Sequence, residues 1–264
     1  IIFTRRGIHI EDYPSIKKYL NNFKEDLTPK TKNSKKEEKG RKPGQYKWYE
    51  IQDNVAYYSS FEKEKIIYSE IVPEPRFVYD DENYYIEATG FLLSSNTLNL
   101  KYLVALLNSK LLFWYFKDIG YNLGGKGFRY KKVFIEELPI KFSNSVTEKN
   151  MNLIVDEILY LNKSIVIETN NFHNFLKKEL NILKISKKLE NYSVLNEKDF
   201  FSELKKQKAQ IVNENNIILK FKNSCEIILN LNNKINILEL KLNEIIYDIY
   251  DLNKNEIKII ECND

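Results

Sequence analysis

Along Leu100–Phe116, LKYLVALLNSKLLFWYF, apolar residues recur at three- and four-residue steps. Leu103, Leu106, Leu107, Leu111 and Trp114 share one helical face. Val104, Leu112, Phe113 and Phe116 place apolar groups on the other faces, so the pattern predicts a helix enclosed by the rest of the chain. Lys101, Asn108 and Lys110 interrupt it, and it falls short of the roughly 20 apolar residues needed to cross a membrane.

Elsewhere in the first half the period is shorter. QYKWYEIQ (45–52), KIIYSEIV (65–72), RFVYDDENYYIEAT (76–89) and FRYKKVFIE (128–136) are aromatic and β-branched runs bounded by Gly, Pro and Asp, which predicts strands. Ile1–Ile10 reads as a further strand, with Gly7 at a turn or bulge, and Asp80-Asp81-Glu82 as a hairpin turn. PSIKKYLNNFKEDL predicts a helix, with Pro14 in its first turn and Ile16, Tyr19, Leu20, Phe23 and Leu27 on one side. PKTKNSKKEEKGRKPG (29–44) is polar and lysine-dense and reads as a mobile loop.

After Pro139 the pattern changes. Every glycine and every proline lies before Lys141, so a boundary is predicted just after Pro139. Met151, Ile154, Ile158, Leu161, Ile165, Phe172 and Phe175 alternate at three and four residues, with Glu168 the one polar intruder. Phe221, Cys225, Ile228, Leu231, Ile235, Leu238, Leu242, Ile245, Ile249 and Leu252 do the same. One stripe needs another, so the two helices should pair antiparallel, joined by shorter helices around Leu180–Lys208. Asn253 and Glu256 have the spacing of a capping box for a last short helix. The predicted class is α+β: a mixed α/β domain at 1–142, then an all-helical domain at 143–264 with a long antiparallel coiled-coil-like helix pair.

Charge refines this. Of the net +4, residues 1–142 carry 24 Lys and Arg against 19 Asp and Glu, and the remainder 17 against 18. All the arginines (Arg5, Arg6, Arg41, Arg76, Arg129) lie in the first part. Cys225 and Cys262 form no motif, and His9 and His173 are too far apart in sequence to make a zinc site. No apolar segment follows Arg5-Arg6 as a signal peptide would require, so an intracellular, cytoplasmic protein is expected. Beginning at Ile1 rather than Met, the chain reads as part of a longer protein.

Candidate chemistry is sparse. GYNLGGK (120–126) matches the first seven positions of a phosphate-binding loop, but Gly127 replaces the magnesium-binding Ser or Thr and a strand is expected where a helix should begin. Asp26, Glu37 and Lys39 loosely fit a metal-nuclease arrangement, but two of them lie in the polar loop, where no metal could be held rigidly. There is no nucleophile–base pair, no N-P-P-[YFW] and no glycine-rich adenosylmethionine motif, so catalysis is not expected in this chain. Two stretches instead interleave cations, amides and aromatics: Arg41, Lys42, Gln45, Lys47, Trp48, Tyr49 and Gln52, then Lys126, Arg129, Tyr130, Lys131 and Lys132. Lysines can hold phosphates, whereas Arg and Gln can bond bidentately to guanine and adenine edges. A solvated basic surface would have the same composition. Trp48, Tyr49 and Trp114 are expected in the core.

At RRGIHIEDYPSIKKYLNNFKEDL (5–27), GRKPGQYKWYEIQD (40–53), KIIYSEIVPEPRFVYDDENYYIEATGFLL (65–93), LLNSKLLFWYFK (106–117) and FRYKKVFIEELPI (128–140) the chain resembles a family. This is the TaqI-like target-recognition domain of type IIG restriction–modification enzymes and related adenine-specific DNA methyltransferases. FLKKEL (175–180), KKLENYSVLNEKDFFSELKKQK (187–208) and LNEIIYDIYDLNKNEIKIIE (242–261) extend the likeness, with Asp251 where relatives usually carry a helix-ending glycine. The resemblance implies a DNA target-recognition domain at 1–142 and a helical spacer at 143–264. It implies double-stranded DNA and the N-terminal methyltransferase and nuclease domains of the same parent chain as partners, and no membrane. No cofactor is implied for this chain, and S-adenosylmethionine and Mg2+ for the parent enzyme. In such enzymes the domain reads the major groove while a target adenine is flipped out and methylated at N6. Base contacts are expected from Arg41, Gln45, Lys47, Arg76 and Arg129, and phosphate contacts from Lys42, Lys126, Lys131 and Lys132. The alternatives are the specificity domain of a nuclease-free phage-defence methyltransferase, and a coiled-coil scaffold that binds protein rather than DNA.

Overall fold

The computed structural model describes residues 1–35, 37–86 and 89–262. In chain order its elements are α1 (Pro14–Asn21), α2 (Lys24–Leu27), β1 (Lys65–Ser69), β2 (Ile71–Val72), β3 (Val78–Asp80), β4 (Gly90–Leu93), α3 (Leu100–Leu107) and α4 (Lys110–Ile119). There follow β5 (Tyr121–Asn122), β6 (Phe128–Arg129), α5 (Lys132–Ile135), α6 (Ser145–Glu179), α7 (Lys187–Glu190), α8 (Glu197–Lys206), α9 (Glu214–Ile249) and α10 (Lys254–Glu261). The chain forms two compact units, 1–67 with 79–94, and 68–78 with 95–264.

In the first unit α1 begins on Pro14, whose fixed φ suits the first helical turn. β1 lies between β3 and β4 in a three-stranded sheet. Beneath it Phe61 stacks on Tyr85 at 4.8 Å, with Phe3 5.2 Å from Tyr85. Lys65 and Asp80, on adjacent strands, form an ion pair that is almost wholly buried. Asp80 also accepts the backbone amides of Glu82 and Tyr84 at 3.0 and 3.1 Å and so bends the chain, but the expected hairpin is not formed, because β3 and β4 each pair with β1 rather than with one another. The strands expected at 1–10 and 45–52 are absent. Both segments are irregular: the Gly7 and Lys47 amides go to the Glu50 carboxylate and the Ile51 amide to the Thr4 carbonyl at 2.8 Å, rather than into a ladder. Of 76–89, only Val78–Asp80 is a strand among the described residues; Glu87 and Ala88 lie outside them.

In the second unit the expected Leu100–Phe116 helix is two helices meeting at a corner. Asn108 ends α3, and its side chain accepts the Phe77 amide at 2.9 Å and donates to the Phe77 carbonyl at 2.8 Å. Ser109 then caps α4 through the Leu112 amide. Trp114, expected in the core, is 38% exposed on α4. α3 packs on α6 and α4 on α9, which gives the all-round apolar segment its enclosure. FRYKKVFIE is also corrected: only Phe128–Arg129 is strand, and Lys132–Ile135 is a helical turn.

The helix pair is present. α6 and α9 start on the N-caps Asn144 and Asn213, and they pack along one another. They run antiparallel, because Phe172 and Leu176 near the end of α6 share a core with Ile217 and Phe221 near the start of α9. α7 and α8 close this end, with Phe200 stacked on Phe221 at 4.1 Å. The polar intruder Glu168 accepts the Ser224 hydroxyl, which is also 2.6 Å from the Tyr192 hydroxyl. Among the described residues no helix is long and apolar enough to cross a membrane.

α10 carries the predicted capping box between Asn253 and Glu256. Before it, Asp251 takes φ 56°, and the Leu252 amide bonds the Tyr247 carbonyl at 3.0 Å, a helix end that favours glycine. Asp251→Gly should therefore raise stability by about 0.5–1 kcal/mol. The exposed ion pair it removes, with Lys141, contributes little. A lower urea midpoint for the variant would mean that the Lys141 pair outweighs the backbone strain.

Candidate nucleic-acid interface

The residues expected to contact DNA fall into two basic groups, one in each unit. In the first unit the chain turns at Gly7, φ +81°, just after Arg5 and Arg6. The buried Glu50 carboxylate accepts the Gly7 amide at 2.9 Å and the Lys47 amide at 2.8 Å, clamping two turns together. Burial alone would raise this carboxyl, but the Lys47 and Gly7 amides, then the Lys47 and Arg6 charges, outweigh it and hold it below the usual range. Cations then stand over aromatic faces: Arg41 4.7 Å from the Tyr46 centroid, Arg5 4.6 Å from Tyr58, Lys24 5.4 Å from Trp48 and Lys47 5.6 Å from Tyr49.

Within this group the expected contacts separate. Lys42, Gln45 and Lys47 are exposed. Arg41 is half-buried and braces the fold, with Nε donating to the Leu27 carbonyl at 2.7 Å and Nη2 to the Trp48 carbonyl at 3.0 Å. Trp48 and Tyr49 are half-buried, each with a cation over its ring. The structure adds Arg5, Arg6 and Lys24 to the group, which the sequence reading did not assign. The signal for the first two was a pair of arginines ahead of a turn glycine. Lys24 had none, since only the tertiary fold brings it to Trp48.

In the second unit, β2, β6 and β5 form a small antiparallel sheet, with Ile71 opposite Arg129 and Arg129 opposite Tyr121. GYNLGGK closes this sheet as a hairpin, and strand β6 rather than a helix comes next. Gly127, φ +97°, is required there, since a Cβ would stand 2.5 Å from the Val72 carbonyl. Arg129 lies 3.5 Å from the Glu70 carboxylate. Arg76, Lys131 and Lys132 are exposed; Arg76 pairs with Glu74 at 2.9 Å and Lys132 with Glu136 at 3.4 Å. Lys126 ends the turn Gly124–Lys126, and its side chain lies outside the described residues.

Other chemistry finds little support. Lys39 makes exposed pairs with Glu25 at 3.3 Å and Asp26 at 4.0 Å. Among the described residues no three His, Cys, Asp or Glu side chains could jointly hold a metal ion, so these residues do not fit Mg2+. Both cysteines are free thiols, and burial raises the Cys225 thiol above its usual range, away from nucleophilic use.

Residues 144–246 match a domain family of unknown function, DUF8810. Residues 5–140, more than half of the chain, match the TaqI-like C-terminal specificity domain. The chain therefore belongs to the TaqI-like C-terminal specificity domain family, whose part in restriction–modification is DNA sequence recognition rather than catalysis.

Proposed function

We propose that this chain is the sequence-specific double-stranded DNA recognition part of a type IIG restriction–modification enzyme, an N6-adenine methyltransferase with endonuclease activity. The family match over 5–140 carries this reading. Residues 1–142 act as the target-recognition domain, and residues 143–264 as a coiled-coil spacer that holds it against the methyltransferase and nuclease domains of the parent. That division is supported by two family matches that meet between 140 and 144. S-adenosylmethionine and Mg2+ serve the parent's catalytic domains; no step here runs through either.

Of the residues proposed to touch DNA, Lys42, Gln45, Lys47, Arg76, Lys131 and Lys132 are exposed. Lysines there neutralise phosphates and fix register, while Gln45 and the arginines present donors in geometries that match base edges. Arg41 acts at one remove, by holding the segment that carries Lys42 and Gln45.

The test is selection from a duplex pool randomised at its centre, followed by binding at several salt concentrations. A short adenine-containing motif should be enriched, and log K should fall against log salt with a slope near −0.9 per phosphate neutralised. Arg129→Ala should weaken binding to the enriched duplex by about 1–3 kcal/mol. Binding that is insensitive to salt and enriches no motif would overturn the proposal.

A further inference from the structure

The two rows of the β2–β6–β5 sheet face different surroundings. In one row Phe128 meets the aromatic side of α4, 5.8 Å from Phe113 and 6.2 Å from Phe116. Adjacent residues of a strand point to opposite faces, so the next row, Ile71–Arg129–Tyr121, faces away from α4. Ile71 and Tyr121 are indeed exposed, at 43% and 58%. The arginine is thus centred on an open row, between an aliphatic and an aromatic side chain.

Glu70 sets the state of that arginine. It is the single residue between β1 and β2, and its carbonyl is fixed by the Tyr130 amide at 2.7 Å. Its carboxylate reaches 3.5 Å from Arg129 Nε, close enough to offset the charge but out of line for a hydrogen bond. Arg129 Nε is buried and has no hydrogen-bond partner among the described residues. The guanidinium is therefore compensated in charge along its buried Nε edge, while the side chain as a whole stays 35% exposed.

These two properties act differently on DNA. An uncompensated arginine is drawn to any phosphate, whatever the sequence, and releases a counterion on binding. A charge-compensated one loses much of that attraction and keeps its directional N–H groups, which gain only from acceptors placed in their plane, such as the O6 and N7 of guanine. We propose that Glu70 is a specificity-determining positioning residue. Its carboxylate offsets Arg129, so that the row Ile71–Arg129–Tyr121 discriminates between base edges instead of adding sequence-blind affinity for phosphate. The inference rests on the DNA-recognition reading above.

The experiment compares wild type, Glu70→Gln, Glu70→Asp and both Arg129→Ala and Glu70→Gln/Arg129→Ala. The probes are the duplex enriched by wild type and a scrambled duplex of equal length. Glu70→Gln should bind the scrambled duplex more tightly, steepen its salt slope by about 0.9, and lower the ratio of enriched to scrambled affinity about tenfold. Glu70→Asp should recover most of that ratio, and Glu70→Gln should change neither ratio nor slope once Arg129 is alanine. A wild-type ratio and slope in Glu70→Gln would overturn the inference alone, and so would an equal effect of Glu70→Gln in the Arg129→Ala background. A wild-type chain that enriches nothing would instead overturn the DNA reading, and this inference with it.

Discussion

Asp80→Ala should destabilise the first unit by about 3–5 kcal/mol, a substantial share of the stability of an ordinary domain. Lys65 is 0% exposed and Asp80 5%. The ammonium has the Asp80 carboxylate beside it and donates to the Phe61 carbonyl at 2.8 Å. Removing the carboxylate leaves a buried cation with only carbonyl partners, and strands β1 and β3 lose their charged link. The Glu82 and Tyr84 amides lose their acceptor in the same step. Asp80→Asn keeps a side-chain acceptor for the turn but not the charge, so it should fall between wild type and Asp80→Ala. Lys65→Met with Asp80→Leu, which removes both charges, should recover much of the loss, because the desolvation cost of the pair goes with it. Urea unfolding of the four proteins decides it. A loss under 1 kcal/mol for Asp80→Ala would show that water reaches Lys65.

That ion pair illustrates what could and could not be read along the chain. The long helices were legible because their information is local: three- and four-residue periodicity in α6 and α9, and the Asn253–Glu256 cap. Even Asp251, where the resemblance leads a helix-ending glycine to be expected, stands at a real helix end with φ 56°. The aromatic runs of the first half were less legible. Their composition reports burial, which a buried turn shares with a strand. Tyr46, which sits in a stretch read as a strand, is buried within turns that Arg41 and Glu50 hold by bonds to residues up to 43 positions away. The break at Asn108 follows the same rule, since it depends on the backbone of Phe77, 31 residues earlier. For the proposed interface, residue types single out two basic segments, but which cations brace the fold and which face solvent is a tertiary property. Arg41 and Arg129 look alike in sequence, yet one donates to two carbonyls and the other faces a carboxylate.

Stability should also collapse in alkali, between about pH 10 and pH 12. Tyr102, Tyr130 and Tyr192 are buried in the second unit, each 4% exposed or less. Burial pushes the Tyr102 and Tyr192 phenols up to about 12 from an ordinary 10, and raises Tyr130 as well. The Tyr102 hydroxyl donates to the Lys141 carbonyl at 2.6 Å, an interaction that a phenolate would turn into repulsion. Above pH 10 the unfolded chain releases these protons while the folded chain keeps them, so the folded state binds more protons and unfolding grows easier as pH rises. The contribution is fully present below pH 10 and lost through about 12. Three such groups together give a slope of about 4 kcal/mol per pH unit across that window. Tyr130→Phe isolates the effect. The Tyr130 hydroxyl has no hydrogen-bond partner among the described residues, so its removal should leave stability near neutral pH unchanged or slightly higher, and should reduce the alkaline slope by about one proton. Urea unfolding at a series of pH values, with tyrosinate absorbance followed alongside, measures both. Buried phenols that ionise together with exposed ones would sink the explanation, as would a Tyr130→Phe slope equal to wild type, and the alkaline loss would then belong to lysine deprotonation instead.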